Sequence, residues 1–564
     1  MKEGARKVKR LLIRIYGDKK GARAFDRIMP LVRAFPRRPR KAGGYFSQKD
    51  VVLITYGDTL KRPGEAPLKT LHDFLKTRLK EVVAGIHFLP FFPFSSDDGF
   101  AVIDFFSIDP RLGTWDDVAA IGRDFRLMFD YVVNHFSSKS RWFEQYLAGE
   151  KGFEEFAIEV DPASDLSTVT RPRSLPLLSA YRKKNGDRVH LWTTFSKDQI
   201  DFNFKSLDVL EKMVDVLLFY VAKGASILRL DAIAYLWKEI GTPSIHLPQT
   251  HAVVKLFRCI LDMTAPDVVL LTETNVPHEE NIRYFGKCGD EAQMVYNFTL
   301  PPLLLHAFSV GDVSRLAAWA QTLYLEEGNT TFFNFTASHD GIGVRPLEGI
   351  LTQDEIDRLV ALVKAHGGLV SHKQNPDGTE SPYELNITYV DAILAGERRL
   401  AAQKFLASQA IQYVLPGVPA TYIHSLLGSR NWLEGVRKTG MPRTINREKL
   451  DMREIAAELS DTDALRAKIF SGYVRLIRTR RGQPAFHPKA AFEVIDAGPH
   501  VFAIKRFCRE QEIVALTNIT RRTLHIPLRQ ISVQRSSVDL LTGKKHTDGE
   551  LRLSPYQYVW LTNA

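Results

Sequence analysis

Four carboxylates stand at the ends of apolar, strand-like runs: Asp130 in LMFDYVVNH, Asp231 in ILRLDAIAY, Glu273 in VVLLTETN and Asp340 in FNFTASHD. An unpaired charge where a buried strand runs out is costly, so a core strand should continue apolar or stop at a small polar residue. Four such endings, in order, constrain the fold more than any other feature. They predict parallel strands of one barrel whose C-terminal ends converge on a common pocket.

The segments between them agree. VVLITYGD, GIHFLPFFPF, LMFDYVVNH, ILRLDAIAY, VVLLTETN, AQMVYNF, NTTFFNFTASHD and AIQYVLPGVPATYI read as eight strands. LKTLHDFLKTRLKEVV, TWDDVAAIG, LFRCILDMTA and a run opening at PPLLLHAF read as helices between strands. The predicted fold class is α/β, a (β/α)8 TIM barrel. The rival, a doubly wound sheet, lacks a Gly-rich phosphate fingerprint after its first strand.

Spacing locates the excursions. Asp231 to Glu273 is 42 residues, one strand–helix–strand unit, whereas Asp130 to Asp231 is 101. The excess predicts a lid domain inserted after strand 3, over 136–205, above the pocket mouth. The barrel itself takes 48–135 and 206–488. A second excursion, SHKQNPDGTESPYELNITY, follows strand 7 and reads as a loop. From 489 to 564 short alternating strands predict a C-terminal antiparallel β domain.

Net charge is +11, but residues 1–45 hold 15 Lys or Arg against 3 Asp or Glu, leaving 61 against 62 elsewhere. Basicity is thus an N-terminal property. Val8, Leu11, Leu12 and Ile15 have helical spacing, so residues 1–47 read as a basic amphipathic helix and a linker, RAFPRRPRKAGG, resting on the body. A membrane-surface or nucleic-acid role for this arm is the alternative; the reading adopted is neither nucleic acid nor membrane. The longest apolar stretches fall short of a membrane span, and the N-terminus lacks a secretion signal. Three scattered cysteines, Cys259, Cys288 and Cys508, fit a reducing cytoplasm rather than a disulfide framework or zinc site.

Two carboxylates flanking a scissile bond are the minimum for retaining glycosyl transfer. Arg229 lies two positions before Asp231 on the same strand face, where it favours the ionised carboxylate of a nucleophile. Glu273 ends an apolar strand, where desolvation raises an acid/base. Taken singly, the Arg229–Asp231 pair, the Asp130–Asn134–His135 group and His339–Asp340 are explained as well by structure. The ordered set is not.

DYVVNH, RLDAIAY, TETNVPH and ASHDGIG resemble, in order, the four signature regions of the α-amylase superfamily, glycoside hydrolase family 13. LITYGD, HFLPFFPFSSDDGF, IDFFSIDPRLGTWDDV, TRPRSLP, LPPLLLHAF, SHDGIGV, PGVP and INR extend the resemblance to its sucrose phosphorylase branch, over roughly residues 48–490. The resemblance implies Asp231 as nucleophile, Glu273 as general acid/base and Asp340 as transition-state stabiliser. It implies Asp97, His135, Gln199, Arg229, His339 and Arg443 as glucose-pocket residues, with Phe100 and Tyr235 as aromatic walls. It places Arg173, Asn275, Tyr383 and Glu384 on the acceptor side, where phosphate and leaving group are handled. It also implies no metal, no cofactor beyond phosphate as co-substrate, and small-molecule partners only; the chain is taken as a monomer or homodimer.

Two departures concern the acceptor. Sucrose phosphorylases typically carry Gln where this chain has Glu384, and His where it has Asn275. TETNVPH, NPDGTESPYELN and VTRPRSLPLL resemble the glucosylglycerate phosphorylases, which release glucose 1-phosphate and D-glycerate. Sucrose 6-phosphate or sucrose is the alternative substrate. A carboxylate leaving group wants a cation, for which Arg171, Arg173 and Lys373 are the candidates.

Overall fold

The computed structural model describes residues 2–40, 43–324, 328–375, 378–531, 537–547 and 549–563. Lys41 and Ala42 of the expected linker, and Pro376 and Asp377 of the second excursion, lie outside these.

The short apolar runs become strands buried on both faces, as parallel strands under helices must be. They are β1 Val52–Thr55, β2 Gly85–Phe88, β3 Arg126–Val132, β4 Ala225–Asp231, β5 Val269–Thr272, β6 Met294–Tyr296, β7 Thr331–Asn334 and β8 Val418–Tyr422. They close into a barrel of order β1-β8-β7-β6-β5-β4-β3-β2, with every pairing parallel. Register does the positioning. Asp130 on β3 is the Cα partner of Arg229 on β4, and Arg229 is the partner of Leu271 on β5. Lateral neighbours in a parallel pair point to the same side, so Asp130 and Arg229 meet inside the barrel.

The N-terminal segment departs from expectation. It forms two helices, α1 Lys2–Tyr16 and α2 Asp18–Ala34, so the first residues of the expected linker end a helix. Val8, Leu12 and Ile15 are buried as the spacing requires; Leu11 is only partly so. The hairpin rests on α3 Leu207–Ala222 and α4 Pro248–Thr264. Arg27 of α2 bonds Asp208 and Glu211 of α3 at 2.5 and 2.6 Å, and Tyr16 donates to the carbonyl of Phe204 at 2.8 Å. A Cβ on Gly21 would stand 2.6 Å from the Ile13 backbone, so glycine permits this close crossing.

Between β3 and α3, residues 136–205 contain a helix (Arg141–Ala148), an antiparallel hairpin (Leu178–Arg182 with Arg188–Trp192) and a small core of Val160, Val169, Leu177 and Trp192. The second excursion is not a loop. Leu369–Gln374 and Glu380–Asn386 pair antiparallel, and Ile342–Gly343 adds a third strand. Beyond residue 490, a six-stranded antiparallel sheet and a two-stranded ribbon enclose their own core. No helix among the described residues is long and apolar enough to cross a membrane.

Candidate active site

Three of the four acids line one cavity at the C-terminal ends of the barrel strands: Asp231 at the end of β4, Glu273 just past β5 and Asp340 beyond β7. Asp130 does not reach it. That carboxylate is fully buried below, 2.6 Å from Arg229 Nη1 and 2.9 Å from His87 Nε2. The same Nη1 donates to Asp231 at 2.7 Å. Arg229 is therefore divided between two carboxylates. Guanidiniums held over aromatic faces gain further stabilisation; Arg229 lies 5.6 Å from the Phe100 ring and 5.4 Å from that of Tyr296.

Asp97, Phe100, His135, Gln199, Arg229, His339 and Arg443 all line this cavity. Gln199 Nε2 stands 3.1 Å from His135 Nε2 and 3.4 Å from Asp97. Phe100 stacks on His339 with centroids 4.8 Å apart. Asp97 and Asp98 both take left-handed conformations, with φ of 53° and 47°, and Gly99 follows at 114°. A Cβ on Gly99 would meet Pro90 at 2.8 Å, so only glycine closes the turn that delivers Asp97 and Phe100. Ala232, directly after Asp231, is also left-handed at 50°, and its N–H donates to Glu273 at 3.0 Å. Strain of this kind gathers where a site is held open for a ligand.

Tyr235 departs from its expected place. It lines the adjoining outer cavity, and Phe195 and Phe298 supply aromatic walls to the inner one. Phe195 stands in no motif that the sequence singled out, and Phe298 ends the strand run AQMVYNF, to which no site role was given. The outer cavity, of about 300 Å³, also takes in Arg171, Arg345, Glu348, Lys373 and Tyr383. Arg173, Asn275, Tyr383 and Glu384 line the inner one, and Tyr383 borders both. Glu384 is not free for a ligand: Arg443 grips it through two bonds of 2.7 and 2.9 Å and holds Asp340 at 2.6 Å with its remaining nitrogen.

Supporting groups are as buried as the site. Lys238 pairs with Asp201 at 2.5 Å and donates to the Asn134 side chain at 2.7 Å, fixing the residue beside His135. Arg447 bonds the His339 carbonyl at 2.8 Å and Asp98 at 2.6 Å.

The electrostatics separate the acids. Burial pushes the Glu273 carboxyl up, with Arg229 opposing and Asp340 adding. Burial raises Asp231 as well; Arg229 opposes, and Glu273 and Asp130 raise it further. Asp340 goes the other way: the cost of burial is outweighed by Arg443, His339, Arg229 and Arg447. Burial pushes His135 down to about 4 and His339 well below the usual imidazole range, so both are neutral at pH 7. Two carboxylates raised and a third lowered within one cleft mark it as a candidate site for acid–base chemistry. Among the described residues, no group of three or more His, Cys, Asp or Glu is placed to hold a metal ion.

The family model for the alpha amylase catalytic domain matches residues 76–340. A glucosylglycerate phosphorylase of Spirochaeta thermophila is 47% identical, over 99% of this chain and 98% of its own length. One of Escherichia coli is 47% identical over 92% of each. Among solved structures, the sucrose 6F-phosphate phosphorylase of Thermoanaerobacter thermosaccharolyticum superposes with a TM-score of 0.73 at 27% identity, covering 84% of this chain and 94% of its own. The chain belongs to the α-amylase superfamily, glycoside hydrolase family 13, within the group that includes the glucosylglycerate phosphorylases.

Proposed function

We propose that this enzyme transfers the α-glucosyl group of 2-O-α-D-glucosyl-D-glycerate to inorganic phosphate, giving α-D-glucose 1-phosphate and D-glycerate. The observation that carries this reading is near-full-length identity of 47% to proteins named for that activity. The soluble chemistry suits the cytoplasm, where the free thiols Cys259, Cys288 and Cys508 stay reduced.

The mechanism is a double displacement. Asp231 attacks the anomeric carbon, and Glu273 gives its proton to the departing glycerate oxygen. Phosphate then attacks the glucosyl ester while Glu273 takes back a proton, so configuration is retained. Arg229 bonds Asp231 directly, whereas Glu273 accepts only a backbone N–H. The negative charge accordingly rests on Asp231 and the proton on Glu273. Asp340, held ionised by Arg443, faces the positive charge that develops on the sugar.

Sucrose 6-phosphate is the second reading, favoured by the solved relative of that name and by the cations of the outer cavity. Purified protein with phosphate and each glucoside decides between them by release of glucose 1-phosphate. Glucosyl transfer from glucose 1-phosphate to fructose 6-phosphate but not to D-glycerate would overturn the first reading. Asp231→Ala should lose at least about 10⁴-fold in kcat; substantial residual turnover counts against Asp231 as the nucleophile.

A further inference from the structure

The outer cavity contains a cation to which no role has been given. Three basic side chains border it: Arg171, Arg345 and Lys373. Lys373 lies 3.4 Å from Glu348, and Arg171 donates to the carbonyl of Leu175 at 2.5 Å. Among the described residues, the one ion pair of Arg345 is a long one. Its Nη2 stands 3.6 Å from Glu280 Oε2, beyond good hydrogen-bond reach. His246 Nε2 already occupies that oxygen at 3.1 Å.

The backbone fixes where Arg345 sits. It opens a short turn, Arg345–Leu347, directly after the strand Ile342–Gly343. Gly343 pairs with Glu384, and the Val344 N–H donates to the Tyr383 carbonyl at 3.1 Å. Arg345 is thereby locked to Tyr383, the residue that borders both cavities. Its side chain is only 16% exposed. Tyr235 and Tyr383 line the outer cavity with Arg345, and Tyr383 also lines the inner cavity that holds Glu273. Arg171 and Arg173, by contrast, stand on a stretch without regular structure. Discrimination is sharpest from groups on rigid elements.

We infer that Arg345 is the residue that selects a carboxylate-bearing acceptor, its guanidinium receiving the carboxylate of the leaving hydroxy acid. This rests on the phosphorolysis of glucosylglycerate proposed above. In that substrate the carboxylate is attached to the carbon that bears the scissile oxygen. A cation that recognises it must therefore stand on the acceptor side, outside the glucose pocket. An α-hydroxy acid is ionised at neutral pH, and a guanidinium meets a carboxylate with two parallel bonds.

The test measures glucosyl transfer from glucose 1-phosphate to D-glycerate and to D-glyceramide, its neutral isostere, in the parent, Arg345→Gln and Arg345→Lys. The ratio of the two kcat/KM values cancels losses of folding or of donor binding. The parent should favour glycerate strongly. Arg345→Gln should lower that ratio by about 100-fold, and Arg345→Lys, which keeps the charge, should restore part of it. Thermal-shift titration with D-glycerate provides a readout independent of turnover: the stabilisation seen for the parent should vanish in Arg345→Gln. A ratio within twofold of the parent in Arg345→Gln, equal ratios for Gln and Lys, or a parent indifferent to the charge would each overturn the assignment. Failure of the parent to form glucose 1-phosphate from glucosylglycerate would instead overturn the activity on which it rests.

Discussion

Replacing Asp130 by Asn tests whether the one strand-end acid outside the cavity is a structural counter-charge for Arg229. The perturbation removes a negative charge from a position with no solvent exposure, 2.6 Å from Arg229 and 2.9 Å from His87. Opposite charges about 3 Å apart attract by roughly 5 kcal/mol at an effective dielectric near 20. Losing one partner of a buried pair costs about 3–5 kcal/mol. The Asn oxygen still accepts one neutral hydrogen bond, worth about 1 kcal/mol. The expected loss is therefore about 2–4 kcal/mol, read as a lowered urea midpoint by circular dichroism. A second consequence has a defined sign. Burial, then Glu273 and Asp130, raise the Asp231 carboxyl against the pull of Arg229. Without the charge on Asp130, Asp231 ionises more readily, so the acid limb of kcat/KM moves to lower pH. An unchanged urea midpoint together with an acid limb that stays put, or moves upward, refutes the reasoning.

Glu273→Gln should lower kcat/KM on glucosylglycerate by about 10³-fold, within the usual range for general acid–base groups. It should slow far less with α-glucosyl fluoride, whose leaving group needs no proton; equal losses on the two would count against the acid/base role. Gly99→Ala forces a left-handed Cβ to within 2.8 Å of Pro90, so a loss of about 2 kcal/mol and a raised KM for the glucoside are expected. A parent-like KM in that variant would show that the turn does not set the glucose pocket. Lys238→Met strands the buried carboxylate of Asp201 and should cost about 3–5 kcal/mol, with part recovered in the double variant Lys238→Met/Asp201→Asn. Thermal denaturation of the parent and these two variants checks this, and no recovery in the double variant means the pair is not the source of the loss.

The barrel was legible because its signal is local. Each strand is a short apolar run, each helix has its period, and the distance between strand-end acids counts the intervening units. The three acids of the cavity were visible for the same reason: polarity that contradicts burial stands out in a single sequence. What escaped were features whose signal is shared with something bland. Residues 18–34 hold apolar positions diluted by arginines, and read as the approach to a linker before they pack as α2. The polar strands around NPDG read as loop, because one face of that small sheet borders a cavity rather than a core.

Sequence alone determined the set of cavity acids Asp231, Glu273 and Asp340 and the strands that carry them, since charge at a strand end is a property of neighbours along the chain. Only the tertiary structure decided who shares whom. Arg229 is divided between Asp130 and Asp231, Arg443 between Asp340 and Glu384, and Tyr235 lines the outer cavity while Phe195 and Phe298 line the inner one. Those allocations depend on strand register and on loops more than a hundred residues apart. Coulomb and hydrogen-bond energies fall off over a few ångströms of space, and spacing along the chain does not measure that distance.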